Sequence, residues 1–245
     1  PGGLAVSMKL QNALTVTSAT KQNIDNAKSY IDTQDAALSS VGTILDRMST
    51  LVTSYGSGTA NTSDKASYAS EFKELQAQLF AFKGEKFNSI SLFSSQGISR
   101  NVYLSSEGSA GATISVSSLD LSSALNIGSG KNLSAQRYGS NAISISDASV
   151  SIGSITSAIN SVASLRAQSG ATSSRLQFST DYLSTSMLNL EEARSRIVDV
   201  DVAEETTNMA KYNLQVYAAS AALVQSNLNM GIVLDLLNFS TMSRR

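Results

Sequence analysis

The chain has no cysteine, no histidine and no tryptophan, and its single proline is residue 1. Without cysteine there is no disulfide, no thiolate metal site and no cysteine nucleophile. Without histidine the usual general base is missing, together with the commonest zinc and copper ligand. With no internal proline, no position forces a helix to break. Charge is scarce as well: 18 basic and 19 acidic residues among 245 give a net of −1. That is a poor match for a phosphate backbone, so nucleic acid is not an expected partner. No run approaches the ~18 apolar residues of a membrane span, so no membrane insertion is expected. The opening PGGLAVSMKL does not have the basic-then-apolar layout of a secretory signal. Hydrophobic residues make up 42% of the chain, enough to build a core at this length.

Those hydrophobic residues are strongly ordered. Val162, Leu176, Leu183, Leu190 and Ile197 fall on one seven-residue comb, with Ser169 its only polar tooth. Leu165 and Ala193 fill the companion position, and Ile159 and Met187 lie beside the seam. Seven residues are two turns of a slightly under-wound helix, so the stripe faces one way throughout. A helix from about Ser154 to Ile197 would be roughly 65 Å long. It needs a partner of similar length, and the first part of the chain supplies one. Ile24, Ile31, Leu38, Leu45 and Val52 form an unbroken comb, with Val41 and Met48 at the second seam position and Ile44 and Leu51 flanking it. Before it, Leu4, Met8 and Leu14 stand roughly at helical spacing but without an N-cap, which predicts further residues upstream. After it, Tyr55-Gly56-Ser57-Gly58 supplies a turn. Asn61, Thr62, Ser63 and Asp64 offer caps for a third helix, striped by Phe72, Leu75, Leu79 and Phe82 and ended by Gly84.

From Glu85 to about Asp147 the pattern changes. Phe87 to Phe93, Val102 to Leu104, Ile114 to Val116 and Ile143 to Ile145 alternate apolar and polar residues, which predicts short half-exposed strands. Gly108 to Gly111 and Gly128 to Gly130 read as loop tips, and little in this segment predicts a large second core. Beyond Ile197, Asp201 with Glu204 three residues on has capping-box spacing. A last helix is expected from about Val202 toward Gly231, its seam marked by Leu214, Tyr217, Ala221, Val224 and Leu228. Ala218, Ala219 and Ala222 leave its flank smooth for close helix approach. The following MGIVLDLLNF, which includes Leu236, is apolar with no internal partner left for it, the mark of an interface.

No catalytic set emerges. Serines are many, but without histidine a serine nucleophile needs a lysine base, and no S-x-x-K setting with its companion motifs is present. Glu191 and Glu192 are adjacent on a helix and diverge, unlike a glycosidase pair. Gly128-Ser-Gly130-Lys131 is too short for a phosphate loop. Asp199, Asp201, Glu204 and Glu205 cluster, yet without the glycine bend of a calcium loop, so a capped helix junction is the better reading. Neither an enzyme nor a cofactor is expected. The expected fold is mainly α, a long antiparallel coiled-coil-like helical rod with a small β-hairpin-rich middle region. Its expected divisions are 1–93 and 150–200 for the two helical halves, 94–149 for a variable β-rich outer segment, and 201–245 for a terminal assembly helix.

Five stretches resemble one family, bacterial flagellin. They are GLAVSMKLQ (Gly3 to Gln11), LSSVGTILDRMSTLVTSY (Leu38 to Tyr55), EKFNSISLF (Glu85 to Phe93), RLQFSTDYLSTSMLNLEEARSRIVDVDVAEET (Arg175 to Thr206) and ASAALVQSNLNM (Ala219 to Met230). They lie toward both ends and in the family's order, and ARSRI with its alternating aspartates is the most specific. The chain departs from the family pattern in having Val198-Asp-Val-Asp where one more acid is usual, and NFSTMSRR at its end. The resemblance implies a structural subunit that self-assembles into the extracellular flagellar filament for motility. It further implies an export chaperone on Leu214 to Leu237. At the matching positions Arg47, Leu51 and Glu71, it implies contact with the flagellin-sensing Toll-like receptor of vertebrate hosts. Two alternatives accompany it: a hook–filament junction protein, and a cell-surface adhesin or glycan-binding flagellin homologue using the exposed segment from about Ser94 to Asp147.

Overall fold

The computed structural model describes residues 2–105, 111–127, 131–133, 143–199 and 202–242, with side chains of the last stretch described for 203–237. Helix α1 is Gly2–Tyr55 and α2 is Thr62–Lys83. Two hairpins follow, β1 (Lys86–Phe87) with β2 (Ile90–Ser91) and β3 (Ser99–Tyr103) with β4 (Thr113–Ser117), then the short α3 (Leu121–Ala124). Helices α4 (Ile152–Val198) and α5 (Val202–Met242) complete the chain. The protein is therefore mainly α with two small antiparallel hairpins. It forms two compact units, one of residues 8–193 and one of 1–7 with 194–245.

In the larger unit the two combs meet. Ile24, Leu38 and Leu45 of α1 are 0% exposed, and Val162, Leu176 and Leu183 of α4 are buried against the same core. Polar contacts along the seam fix its sense. Lys28 reaches Gln177, Asp32 accepts from Ser173 at 3.3 Å, and Asp35 accepts from Arg166 at 3.0 and 3.2 Å. As α1 advances, its partners on α4 recede, so the pair is antiparallel. The spacing from Leu4 and the sharper comb from Thr17 belong to one continuous helix, although Leu4 and Met8 are exposed. At the other end of α4's stripe, Leu190 is half-buried and Ile197 is 42% exposed, so the comb is covered only over its first part.

Serine and threonine are poor interior helix residues unless their hydroxyls return to the backbone. Here they do. Ser29, Thr43 and Thr53 on α1, and Ser157, Thr172 and Ser184 on α4, each donate to the carbonyl four residues earlier. The expected caps resolve to particular residues. Asn61 accepts from the Asp64 N–H while the Asp64 carboxylate accepts from the Asn61 N–H, a reciprocal capping box that starts α2. Helix α4 starts two residues before the expected Ser154. The Ser151 hydroxyl accepts from the Ser154 N–H and the Ser154 hydroxyl from the Ser151 N–H.

The middle segment differs from expectation in two ways. First, Ile143 to Ile145 is not a strand. Both isoleucines are buried, but Asp147 N–H bonds to Ser144 C=O and Val150 N–H to Asp147 C=O, which makes turns there. Second, the segment contributes heavily to the core. Ile114, Val116, Leu119, Leu121, Leu125 and Leu133 are all buried with the helices. The β1–β2 connection is a two-residue turn with Asn88 at φ 47° and Ser89 at φ 64°, the backbone of a type I′ hairpin loop. Tyr30 and Gln34 of α1 hold this hairpin, the tyrosine hydroxyl donating to Ser91 C=O at 2.9 Å and the glutamine Nε2 to Leu92 C=O at 2.7 Å. The loop tips at 108–110 and 128–130 lie outside the described residues.

Candidate functional site

Helix α5 is built from good helix formers, with Glu204 and Glu205 in its first turn facing the positive end of the helix dipole. The proposed cap Asp201 lies outside the described residues. The helix does not stop at Gly231 but runs on to Met242. A glycine inside a helix costs about 1 kcal/mol relative to alanine, far less than a proline, and so does not by itself end one. Among the described side chains of α5, all but Asn208 are exposed. Its large apolar residues are 56–74% exposed, including Leu214 (69%), Tyr217 (74%), Val224 (60%), Leu228 (59%) and Leu236 (66%). Ala221 is exposed between them. The sequence-predicted assembly residues therefore lie along one helix, and each of them is exposed. In the same unit, the first turn of α1 lies beside the end of α4, where a Cβ on Gly3 would stand 3.6 Å from the Ile197 Cγ2.

The second predicted set divides. Arg47 and Glu71 come together across the α1–α2 hairpin in a two-pronged pair, Nε to Oε1 at 2.6 Å and Nη2 to Oε2 at 2.9 Å. The hydrogen bond to Glu71 raises the Arg47 pKa, and the hydrogen bond from Arg47 lowers that of Glu71. Both side chains remain open to solvent, so the pair is a preorganised surface feature. Leu51 is not part of that surface. It is 2% exposed and packs in the core, because its place flanking the comb turns it toward the seam.

Chemical equipment is sparse. Of the acidic positions near the α4–α5 junction, Asp199 accepts from the Ser195 hydroxyl, one turn earlier on its own helix. Among the described residues no group of three or more acids could hold a metal, and no helix is long and apolar enough to cross a membrane. Sequence reasoning missed the Gln34 and Tyr30 anchors. Their only signal was a polar residue inside an apolar comb. It also missed the Lys131–Asp147 ion pair, which is distant in sequence and joins the turn before α4 to the segment after α3.

Comparison with known proteins accounts for this arrangement. Residues 1–97 match the bacterial flagellin N-terminal helical region and residues 152–237 the C-terminal helical region. The flagellin of Halalkalibacterium halodurans is 30% identical over 239 residues, covering 96% of this chain and 84% of that protein. Bacillus cereus flagellin has a crystal structure 28% identical in sequence, superposing with a TM-score of 0.54 over 66% of this chain and 88% of that one. A Vibrio parahaemolyticus protein described as flagellar hook-associated superposes with a TM-score of 0.67 over 80% and 97% of the two chains. At 18% identity it shows a shared fold alone. The chain belongs to the bacterial flagellin family, the structural subunits of the flagellar filament.

Proposed function

We propose that α5 is the surface through which this subunit joins its neighbours, and that an export chaperone covers the same surface before assembly. The observation that carries this reading is the uncovered apolar length of α5, from Met209 to Leu237. A helix with this much exposed apolar surface gains about 25 cal/mol for each Å² it buries, so a partner is strongly favoured. Subunit contacts of this kind are heterologous, and a head-to-tail contact that does not close propagates an open helical array. The smooth run around Ala218, Ala219 and Ala222 permits close helix packing without side-chain obstruction.

The test is seeded elongation of the full natural protein, followed by electron microscopy, with wild type beside a Val224→Asp/Leu228→Asp double variant. Wild type extends the seeds. The double variant stays folded, fails to extend them and loses chaperone capture in a pull-down. Unimpaired elongation by the variant contradicts the proposal. A second surface is favoured by a separate observation: the solvent-open, two-pronged Arg47–Glu71 pair presents a rigid charged feature suited to anchoring a receptor. Loss of receptor activation by Arg47→Ala, with filament assembly retained, is the expected result. Unchanged activation contradicts it.

A further inference from the structure

Two polar residues interrupt the combs that build the α1–α4 seam. On α4 it is Ser169, in series with the buried Val162, Leu176 and Leu183. On α1 it is Gln34, which occupies the heptad position that Val41 and Met48 fill with fully buried apolar side chains. The two interruptions stand opposite one another. The Asp35–Arg166 pair lies on one side of this level and the Asp32–Ser173 contact on the other. Gln34 is 1% exposed and Ser169 2%.

The Gln34 amide is oriented by two carbonyls, since Nε2 donates to Leu92 C=O at 2.7 Å and lies 3.5 Å from Ser117 C=O. Reversing the amide would set oxygen against oxygen. Its Oε1, so fixed, takes no hydrogen bond from the protein, and neither does the Ser169 hydroxyl. Both residues line one cavity of about 360 Å³ between α1, α4 and β4, alongside Ser115, Ser117, Thr172 and Arg175. Leaving two such atoms without partners away from water would forfeit a large fraction of a domain's net stability.

We propose that this cavity is a hydration site, and that a small cluster of ordered waters is a standing component of the α1–α4 seam. At least one water donates to Gln34 Oε1 and hydrogen-bonds the Ser169 hydroxyl. The lining selects water over other occupants. The Ser115 hydroxyl already donates to Asn101 Oδ1 and the Thr172 hydroxyl to Gln168 C=O, each at 3.0 Å, so both present lone pairs inward rather than protons. With Gln34 Oε1 they give the inner wall acceptors that need a donor. The Arg175 guanidinium in the lining supplies donors that need an acceptor, so the occupant must both donate and accept, as water does. The cavity's two unsatisfied polar atoms equally disfavour an apolar guest. Polar cavities of this size hold water, at roughly 30 Å³ per molecule, whereas persistently dry ones are apolar. The seam thus has one wet step between dry stretches, and this conclusion does not depend on what covers α5.

A high-resolution crystal structure of the full chain, with unfolding measured on Ser169→Leu and Ser169→Ala, tests the inference. The wild-type map should show water within hydrogen-bond distance of both Gln34 Oε1 and Ser169 Oγ. Ser169→Leu, which fills the space beside Gln34, should expel that water, leave Gln34 Oε1 without a partner and lower Tm by roughly 2–4 °C. Ser169→Ala, which cannot overfill the space, should leave Tm within about 2 °C of wild type. A map in which both atoms bond to protein groups with no water between them would overturn the proposal. So would a fall in Tm for Ser169→Ala well beyond that margin, which would mean that the hydroxyl has a protein partner.

Discussion

Helices α4 and α5 are alike in sequence and opposite in fate. Each exceeds forty residues, lacks proline and carries apolar residues at heptad spacing. On α4, Val162, Leu176 and Leu183 are buried against α1, whose own comb answers them in antiparallel register. On α5, residues of the same types at the same spacing are more than half exposed. The difference lies in what surrounds each stripe. Helix α4 has one buried stripe, with serines and threonines whose hydroxyls return to its own backbone and a few exposed apolar residues, Phe178, Tyr182 and Leu188, on its other faces. Helix α5 is apolar on several sides, so no single neighbour could cover it. A heptad pattern states that a helix will be covered; whether the cover comes from the same chain depends on whether the chain contains a complementary comb.

The sharpest way to break this comparison is to truncate one leucine on each helix. Leu45→Ala, at a site with 0% exposure, should cost about 2–5 kcal/mol in denaturant unfolding. Leu228→Ala, at a site 59% exposed, should change subunit stability by no more than about 0.5 kcal/mol while slowing filament elongation. Equal losses of stability would mean that α5 is covered within the subunit. A smaller effect of the opposite sign is expected at the β1–β2 turn. Ser89 sits at φ 64°, where a residue with a Cβ is strained and glycine is not. Ser89→Gly should therefore stabilise the fold by about 1 kcal/mol, read as an increase in the denaturant midpoint.

A pH titration sharpens the same contrast, because the larger unit has a clamp that α5 lacks. The Lys131 ammonium, together with hydrogen bonds from Ser149, lowers the Asp147 carboxyl from 3.8 to about 2. A depressed carboxyl stabilises the fold above its unfolded pKa and loses that contribution as pH falls through its folded pKa. The Lys131–Asp147 contribution should therefore be complete above about pH 4 and be lost toward the folded value of about 2. Asp147→Asn should flatten the acid limb of the stability curve over that window. The smallest effect belongs to the Arg47–Glu71 pair, which is open to solvent. Arg47→Ala should leave Tm unchanged within error.

Much of this architecture was legible because its determinants are local. Heptad spacing located both seams, Asn61 to Asp64 marked the start of α2, and Gly84 marked its end. What was not legible rests on contacts distant in sequence. Ile143 and Ile145 alternate as a strand would, but they are buried side chains in a turn region with no ladder partner. Gly231 reads as a helix stop when propensity alone is weighed, yet α5 continues through it. Leu51 could be assigned to a surface by family position, while its flank position on the comb, equally visible, points to the core where it lies. Of the assembly residues, the sequence revealed the apolar identity and the spacing. Their exposure is a property of the folded chain that spacing alone does not give.

The most direct test of the account is hydrogen exchange on α4 and α5 in the full natural protein, measured as free subunit and again in assembled filaments. Covering α5 on assembly should slow exchange of its amides from about Met209 to Leu237 by orders of magnitude, while those around Leu176 and Leu183 are already protected in the free subunit and change little. Protection of α5 in the free subunit equal to that of α4, unchanged on assembly, would contradict the claim that one comb folds the chain and the other joins it to its neighbours.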